Sequence, residues 1–209
     1  YYFFVVFCCI QIFYNPTAFS QTYKDPDAKI EDRVKDLMSK MTLEEKIGQM
    51  CQFVAPAHIE KSKRRLKGEE LIYNDQWGTY PGLNAEKLKQ KVKNGEIGSF
   101  LHVKDVVEAN ELQKLAQKSR LGIPLIIGID AIHGHGMVRG TTIFPTQIGL
   151  ASTWDVGLVH DVAQATAKEI RATGMHWTFS PNVEVARDPR WGRVGETFGE
   201  DPLLVGRMG

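Results

Sequence analysis

Apolar residues along the chain alternate between two rhythms. Ile30, Val34, Leu37 and Met38, with Met41 just beyond, recur at helical spacing over residues 28–40. Thr42-Leu43-Glu44-Glu45 has the form of a capping box, in which the Thr hydroxyl and the Glu45 carboxylate satisfy free backbone N–H groups, and it predicts a second short helix. Met50 to Val54 then reads as a first strand. Asn84 is placed to cap a helix through Asn94, ended by Gly95. Residues 97–101 read as a strand. Residues 106–120 read as a helix with Val107, Leu112, Leu115 and Ala116 on one side and Gly122 past its end. Pro124 to Ile129 is continuously apolar, as a strand buried on both faces of a parallel sheet must be. Ser152 or Thr153 is predicted to cap a long helix over residues 155–172, whose apolar positions are Leu158, Val159, Val162, Ala163, Thr166 and Ile170. Residues 176–180 form the last predicted strand, and Asp201-Pro202 opens a helix that runs to the last residue.

Strand and helix in repeated succession predict a parallel α/β architecture. A complete eight-stranded barrel needs about 250 residues, more than the 209 here. The rhythm therefore fits either part of such a barrel, with two open edges, or a small doubly wound sheet. No Gly-rich phosphate loop follows any strand, which weakens a nucleotide-binding version.

Composition narrows the class. With 43% hydrophobic and 24% charged residues and a formal net charge of +1, the chain is not disordered, collagen-like or a disulfide scaffold. The near-neutral balance argues against a nucleic-acid binder. The first residue is Tyr, and the opening apolar stretch of about 14 residues falls short of the roughly 20 of a membrane span. With Asn15, Pro16 and Ala18-Phe19-Ser20 behind it, it reads as part of a secretory signal over residues 1–20, cleaved near Ser20–Gln21. A buried strand or core helix is the competing reading. The expected domain is then 21–209, exported to the periplasm or the outside, and both ends of the 209-residue chain read as cut from a longer protein. Cys8 and Cys9 lie in the apolar stretch, where a lipid anchor would need a small-residue context that neither has. Cys51, alone in the remainder, allows no intrachain disulfide. Between Ala55 and Gly82 the chain reads as polar and irregular. The run Lys61-Ser62-Lys63-Arg64-Arg65 reads there as a solvated face. Trp77 and Tyr80 are expected to pack on their own domain, with sugar stacking the sharper alternative.

Polar residues crowd the ends of two apolar strands: Asp130-Ala131-Ile132-His133-Gly134-His135-Gly136 after one, and Pro181 to Arg193 after the other. Sites of parallel barrels lie at the carboxyl ends of the strands, so the two ends suggest one shared pocket. The Asp130 carboxylate can accept hydrogen bonds from two neighbouring sugar hydroxyls, or serve a structural ion pair. His133 and His135 have a spacing that can hold zinc. The remaining histidines, His58, His102, His160 and His176, show no spacing that adds ligands, and hydrogen bonding within the loop is the plainer role. Arg187, Arg190 and Arg193 are spaced by three, among Asp188, Glu184, Glu196, Glu200 and Asp201. Ion pairing accounts for most of them, and one guanidinium left to offer its planar fork to a ligand is the sharper reading.

Five segments together, MTLEEKIGQM (41–50), GIDAIHGH (128–135), TIFPTQIGLAS (142–152), KEIRATG (168–174) and FSPNVEVARDPRWGRVGETFGED (179–201), resemble the amino-terminal domain of glycoside hydrolase family 3, most closely its β-glucosidase and β-glucan exohydrolase branch. The resemblance covers the chain from about Tyr23 to Gly209. It implies the amino-terminal part of a TIM-type (β/α)8 barrel, followed in relatives by an α/β sandwich domain. It implies retaining, exo-acting hydrolysis of terminal non-reducing β-D-glucosyl residues, on a β-glucoside or β-glucan oligosaccharide, with no cofactor and no metal. By the same resemblance Asp130 and Arg193 bind the terminal glucose. The family's Lys-His pair, nucleophilic aspartate and acid/base glutamate all fall beyond residue 209. Glu184, Asp188, Glu196 and Glu200 match positions that are not catalytic, so this chain alone is expected to be inactive. Two readings from other classes stay beside it: a zinc-dependent amidohydrolase-like barrel built on His133 and His135, and a non-catalytic sugar-binding module. Within the family, GIDAIHGH favours the glucosidase branch over the β-N-acetylglucosaminidase branch.

Overall fold

The computed structural model describes residues 21–62 and 82–209. The signal-like stretch with Cys8 and Cys9, the basic residues Lys63, Arg64 and Arg65, and Trp77 and Tyr80 lie outside the described residues. The described chain separates into two units at Thr42/Leu43. In the first, helix α1 (Ile30–Lys40) follows a single 3-10 turn at Thr22–Lys24. Asp36 ties the two together: it accepts the Tyr23 N–H at 3.0 Å and pairs with Lys40 one helical turn on. Arg33 Nε donates to the Tyr23 carbonyl at 3.2 Å. The apolar stripe of α1 keeps the predicted spacing but stays open, Ile30 being 70% exposed.

The second unit is built on four parallel strands. In chain order they and the helices between them are α2 (Leu43–Gln49), β1 (Gln52–Val54), α3 (Pro56–Ser62), α4 (Ala85–Lys93), β2 (Ser99–Leu101), α5 (Val106–Gln117), β3 (Ile126–Ile129), α6 (Gln147–Ala151), α7 (Val156–Ala172), β4 (Trp177–Thr178) and α8 (Pro202–Met208). The sheet order is β1-β2-β3-β4, each strand beside its predecessor. A doubly wound sheet reverses direction at a switch point, where its crevice forms. Here the order never reverses, and a sheet that grows by one parallel strand at a time is one side of a (β/α)8 barrel.

Register follows the apolar pattern. Phe53, Phe100 and Ile127 form one row across three strands, and Val54, Leu101, Gly128 and Trp177 form the next across all four. Phe100, Ile127 and Ile129 are completely buried. Leu88 and Val92 of α4 and Ala109, Leu112 and Ala116 of α5 join them in one core. Each such large side chain removed from water contributes about 1.5–3 kcal/mol, enough for short strands to be held by the helices covering them. A second core joins Leu150 and Ala151 of α6, Val159 of α7, Phe198, and Val205 and Met208 of α8.

Asn84 and Asp201 cap their helices as expected. Asn84 Oδ1 accepts the Lys87 N–H at 2.8 Å, and Asp201 Oδ1 accepts the N–H groups of Leu203 and Leu204. The cap of α7 differs from the expectation. Asp155 Oδ1 accepts the Leu158 N–H at 3.0 Å. Ser152 and Thr153 instead close the preceding α6, donating their hydroxyls to the carbonyls of Gly149 and Leu150. The apolar pattern predicts neither helix α6 nor α3, which lies within the stretch that reads as irregular. Five and seven residues are too few to show a helical period.

Candidate functional site

Asp130 is the first residue past β3, and the sheet rather than a loop fixes where it stands. The His102 N–H donates to the Gly128 carbonyl at 2.9 Å on one side of β3. On the other side, the Ala131 N–H donates to Thr178 Oγ1 at 3.3 Å. The backbone on both flanks of Asp130 is therefore tied to its neighbours. Its side chain is 41% exposed at the carboxyl rim of the sheet, and His102 Nε2 lies 3.0 Å from its Oδ2.

Arg193 belongs to the next strand's loop. Past β4 the chain folds back on itself: Asn182 forms a parallel bridge with Thr197, and the Ala186 N–H donates to the Gly199 carbonyl at 3.0 Å. Thr197 and Phe198 of this loop are buried. A 3-10 turn, Val194–Glu196, brings Glu196 back over Arg193. Arg193 Nε lies 3.1 and 3.0 Å from the two Glu196 oxygens, and Nη2 lies 2.7 Å from Oε2. Glu196 is itself held by Asn182 Nδ2 at 2.9 Å. The buried Gln147 of α6 joins the two loops. In the amide orientation its neighbours require, its nitrogen donates to the Glu196 carbonyl and its oxygen accepts the Asn182 N–H at 3.2 Å. Arg193 is thus aimed through Glu196, Asn182 and Gln147. Its Nη1 amino group has no partner among the described residues.

The charges are coupled. The hydrogen bond from Arg193 holds the Glu196 carboxyl below the usual carboxylate range. The Glu196 hydrogen bond and charge push the Arg193 guanidinium up, and the charges of Glu184 and Asp130 add to this. The charge of Asp130, just past β3, thus acts on Arg193 in the loop after β4.

The other arginines differ. Arg190 closes a two-pronged pair on Asp188, with Nη2 to Oδ2 at 2.6 Å, and this bond keeps the Asp188 carboxyl low. Arg187 is exposed and has no ion-pair partner among the described residues. Internal pairing is thus the state of Arg190, while Arg193 combines a carboxylate clamp with a free amino edge.

His133 and His135 do not converge. His133 Nδ1 lies 3.0 Å from the Phe144 carbonyl, whereas the fully buried His135 places Nε2 2.8 Å from Thr173 Oγ1. Burial lowers the His135 pKa, against an opposing pull from Glu169. Gly134 between them has φ +97°, and a Cβ there would lie 2.4 Å from the Thr142 carbonyl oxygen. Glu169 of α7 accepts both the N–H and the hydroxyl of Thr142, at 2.9 and 2.8 Å. These bonds fasten the loop after β3 to α7. Among the described residues no group of three or more His, Cys, Asp or Glu side chains could hold a metal ion.

His102, Asn182 and Gln147 are residues of the candidate site that sequence reasoning missed. The spacing of His102 to the other histidines bears only on metal ligation. The available signal is the position of His102, which follows the apolar residues of β2 as Asp130 follows those of β3.

Comparisons with known proteins bear on the family and the fold. The family model described as the glycosyl hydrolase family 3 N terminal domain matches residues 42–209. A lysosomal beta glucosidase of Dictyostelium discoideum is 34% identical over 180 residues, covering 84% of this chain and 21% of that protein. A periplasmic beta-glucosidase of Salmonella typhimurium is 33% identical over 177 residues, covering 84% of this chain and 19% of that protein. Among solved structures, a beta-glucosidase involved in saponin metabolism from intestinal bacteria is 45% identical with a TM-score of 0.58, covering 84% of this chain and 19% of that one. The chain spans about a fifth of the length of the curated relatives it matches. Neither the zinc-dependent barrel nor the non-catalytic module is supported, since the family and these relatives are glycosidases.

Proposed function

The chain belongs to the family of glycosyl hydrolase family 3 N-terminal domains, and from that premise we propose that it supplies the glucose-gripping half of a β-glucosidase. The reaction is retaining, exo-acting hydrolysis of a terminal non-reducing β-D-glucosyl residue from a β-glucoside or β-glucan oligosaccharide. The observation that carries this reading is that Asp130 directly follows β3 and Arg193 lies in the loop after the neighbouring β4, where the Asp130 charge acts on its guanidinium.

The division of labour follows from the charges. The Asp130 carboxylate is an acceptor only and suits two vicinal hydroxyls of one pyranose. The free Nη1 edge of Arg193 is a donor only and suits an oxygen of the same ring. Between them they orient the sugar without reacting with it. Glu196 and Asp188 are each held ionised by an arginine, so neither is a proton donor for a leaving group. Retaining hydrolysis needs two carboxyl groups about 5–5.5 Å apart, and in this reading both lie outside these 209 residues. Residues 1–20 are the signal segment and 21–209 the barrel domain. Export to the periplasm or beyond accords with a periplasmic relative and a lysosomal one. None of the described helices is long and apolar enough to cross a membrane.

An aryl β-glucoside assay on the full-length protein tests the proposal. We expect turnover, lowered about ten- to a hundredfold in kcat/KM by Asp130→Ala and by Arg193→Ala, and none from the 209-residue polypeptide alone. Full activity in both variants would overturn the assignment.

A further inference from the structure

His102 departs from the geometry of the strand it ends. Leu101 stands opposite Gly128 in the register, so a strand continued by one residue would set His102 opposite Ile129. Side chains alternate faces along a strand, and His102 would then point away from the face that carries Asp130. Instead His102 has φ +59°, the left-handed region that non-glycine residues seldom occupy. That turn brings the imidazole across, with Nε2 3.0 Å from Asp130 Oδ2. The backbone N–H of the same residue remains on Gly128, at 2.9 Å. The imidazole is nearly enclosed, its side chain 13% exposed, while the carboxylate it meets is 41% exposed. One side of Asp130 is thus occupied by a sheltered ring, and the other is left towards solvent.

We propose that His102 is a positioning residue for the terminal β-glucosyl ring. Its Nε2–H donates to Asp130 Oδ2 and fixes the rotation of the carboxylate, so that the remaining acceptor sites face the sugar hydroxyls. A carboxylate left to rotate loses orientation each time it binds, and restricting it before the sugar arrives lowers that cost. The left-handed backbone is the local strain that permits the bond, of the kind that persists where surrounding structure holds it. The inference rests on the reading of Asp130 as a sugar ligand.

The test compares two side chains of matched length that share the strained backbone. His102→Gln can donate from its amide, and His102→Met cannot. Both are made in the full-length protein, alone and with Asp130→Ala, and glucose is measured as a competitive inhibitor of aryl β-glucoside hydrolysis beside the melting temperature. We expect His102→Met to raise the glucose Ki about tenfold and His102→Gln to stay within about threefold of the wild type. With Asp130→Ala present, Met and Gln should become equivalent. A merely structural role would lower the melting temperature of both and leave Ki alone. Equal Ki values for His102→Met and His102→Gln, in a background where Asp130→Ala alone raises Ki, overturn the inference by itself. An unchanged Ki in Asp130→Ala overturns the reading of Asp130 and this inference with it. If His102→Met does not fold, His102→Gly, which suits the left-handed backbone and lacks the donor, takes its place with the same expected result.

Discussion

Arg193 uses one planar group in two directions. Its Nε and Nη2 edge is given to Glu196, and its Nη1 amino group stays free among the described residues. The clamp costs rotamer freedom that a long exposed side chain would otherwise keep, so the amino group is aimed before a ligand arrives. Glu196→Gln keeps the shape and removes the charge. We expect it to weaken glucose binding about three- to tenfold between about pH 5 and 7, measured by titration calorimetry on the full-length protein. The sign with pH follows from the depressed Glu196 pKa. The charged clamp is fully formed above the ordinary carboxylate value of 4.5 and is lost as pH falls through its lower folded value. Wild type should therefore converge on the variant only below that range.

At the scale of elements, the loop after β3 is held harder than its sequence suggests. Thr142 is fastened to Glu169 of α7, and Gly134 packs its backbone where a Cβ would strike the Thr142 carbonyl. Gly134→Ala must both abandon φ +97° and displace that carbonyl. We expect it to destabilise the fold by about 2 kcal/mol or more, read from the shift of a denaturant midpoint. Much of this level was legible in advance. The uninterrupted run of residues 124–129 identified β3, and the polar residues right after it identified the rim where Asp130 stands. Asn84 and Asp201 announced their helices through side chains suited to capping. What stayed hidden depended on distances no spacing encodes. Helix α6 is too short for a period, so its terminal Ser152 and Thr153 passed for the cap of α7. The bond from His102 needs a left-handed backbone that nothing in the local sequence requires. The choice of Glu196 over its acidic neighbours as the partner of Arg193 is set by a single 3-10 turn.

At the scale of the whole molecule, the four strands build one side of a barrel, and β1 and β4 each have a single strand neighbour among the described residues. A largely apolar cavity of about 350 Å³ lies between α7, the end of β4 and α8. Gln147 reaches it from α6, so the residue that joins the two site loops also borders this apolar space. The arrangement suits a family in which this chain spans about a fifth of its relatives' length. The central claim is that two strand ends hold one sugar ring. A crystal structure of the full-length protein with glucose bound measures it directly. The account predicts an Asp130 oxygen and Arg193 Nη1 each within about 2.7–3.2 Å of oxygens on the same pyranose. A glucose ring touched by only one of the two, or bound away from both, would contradict it.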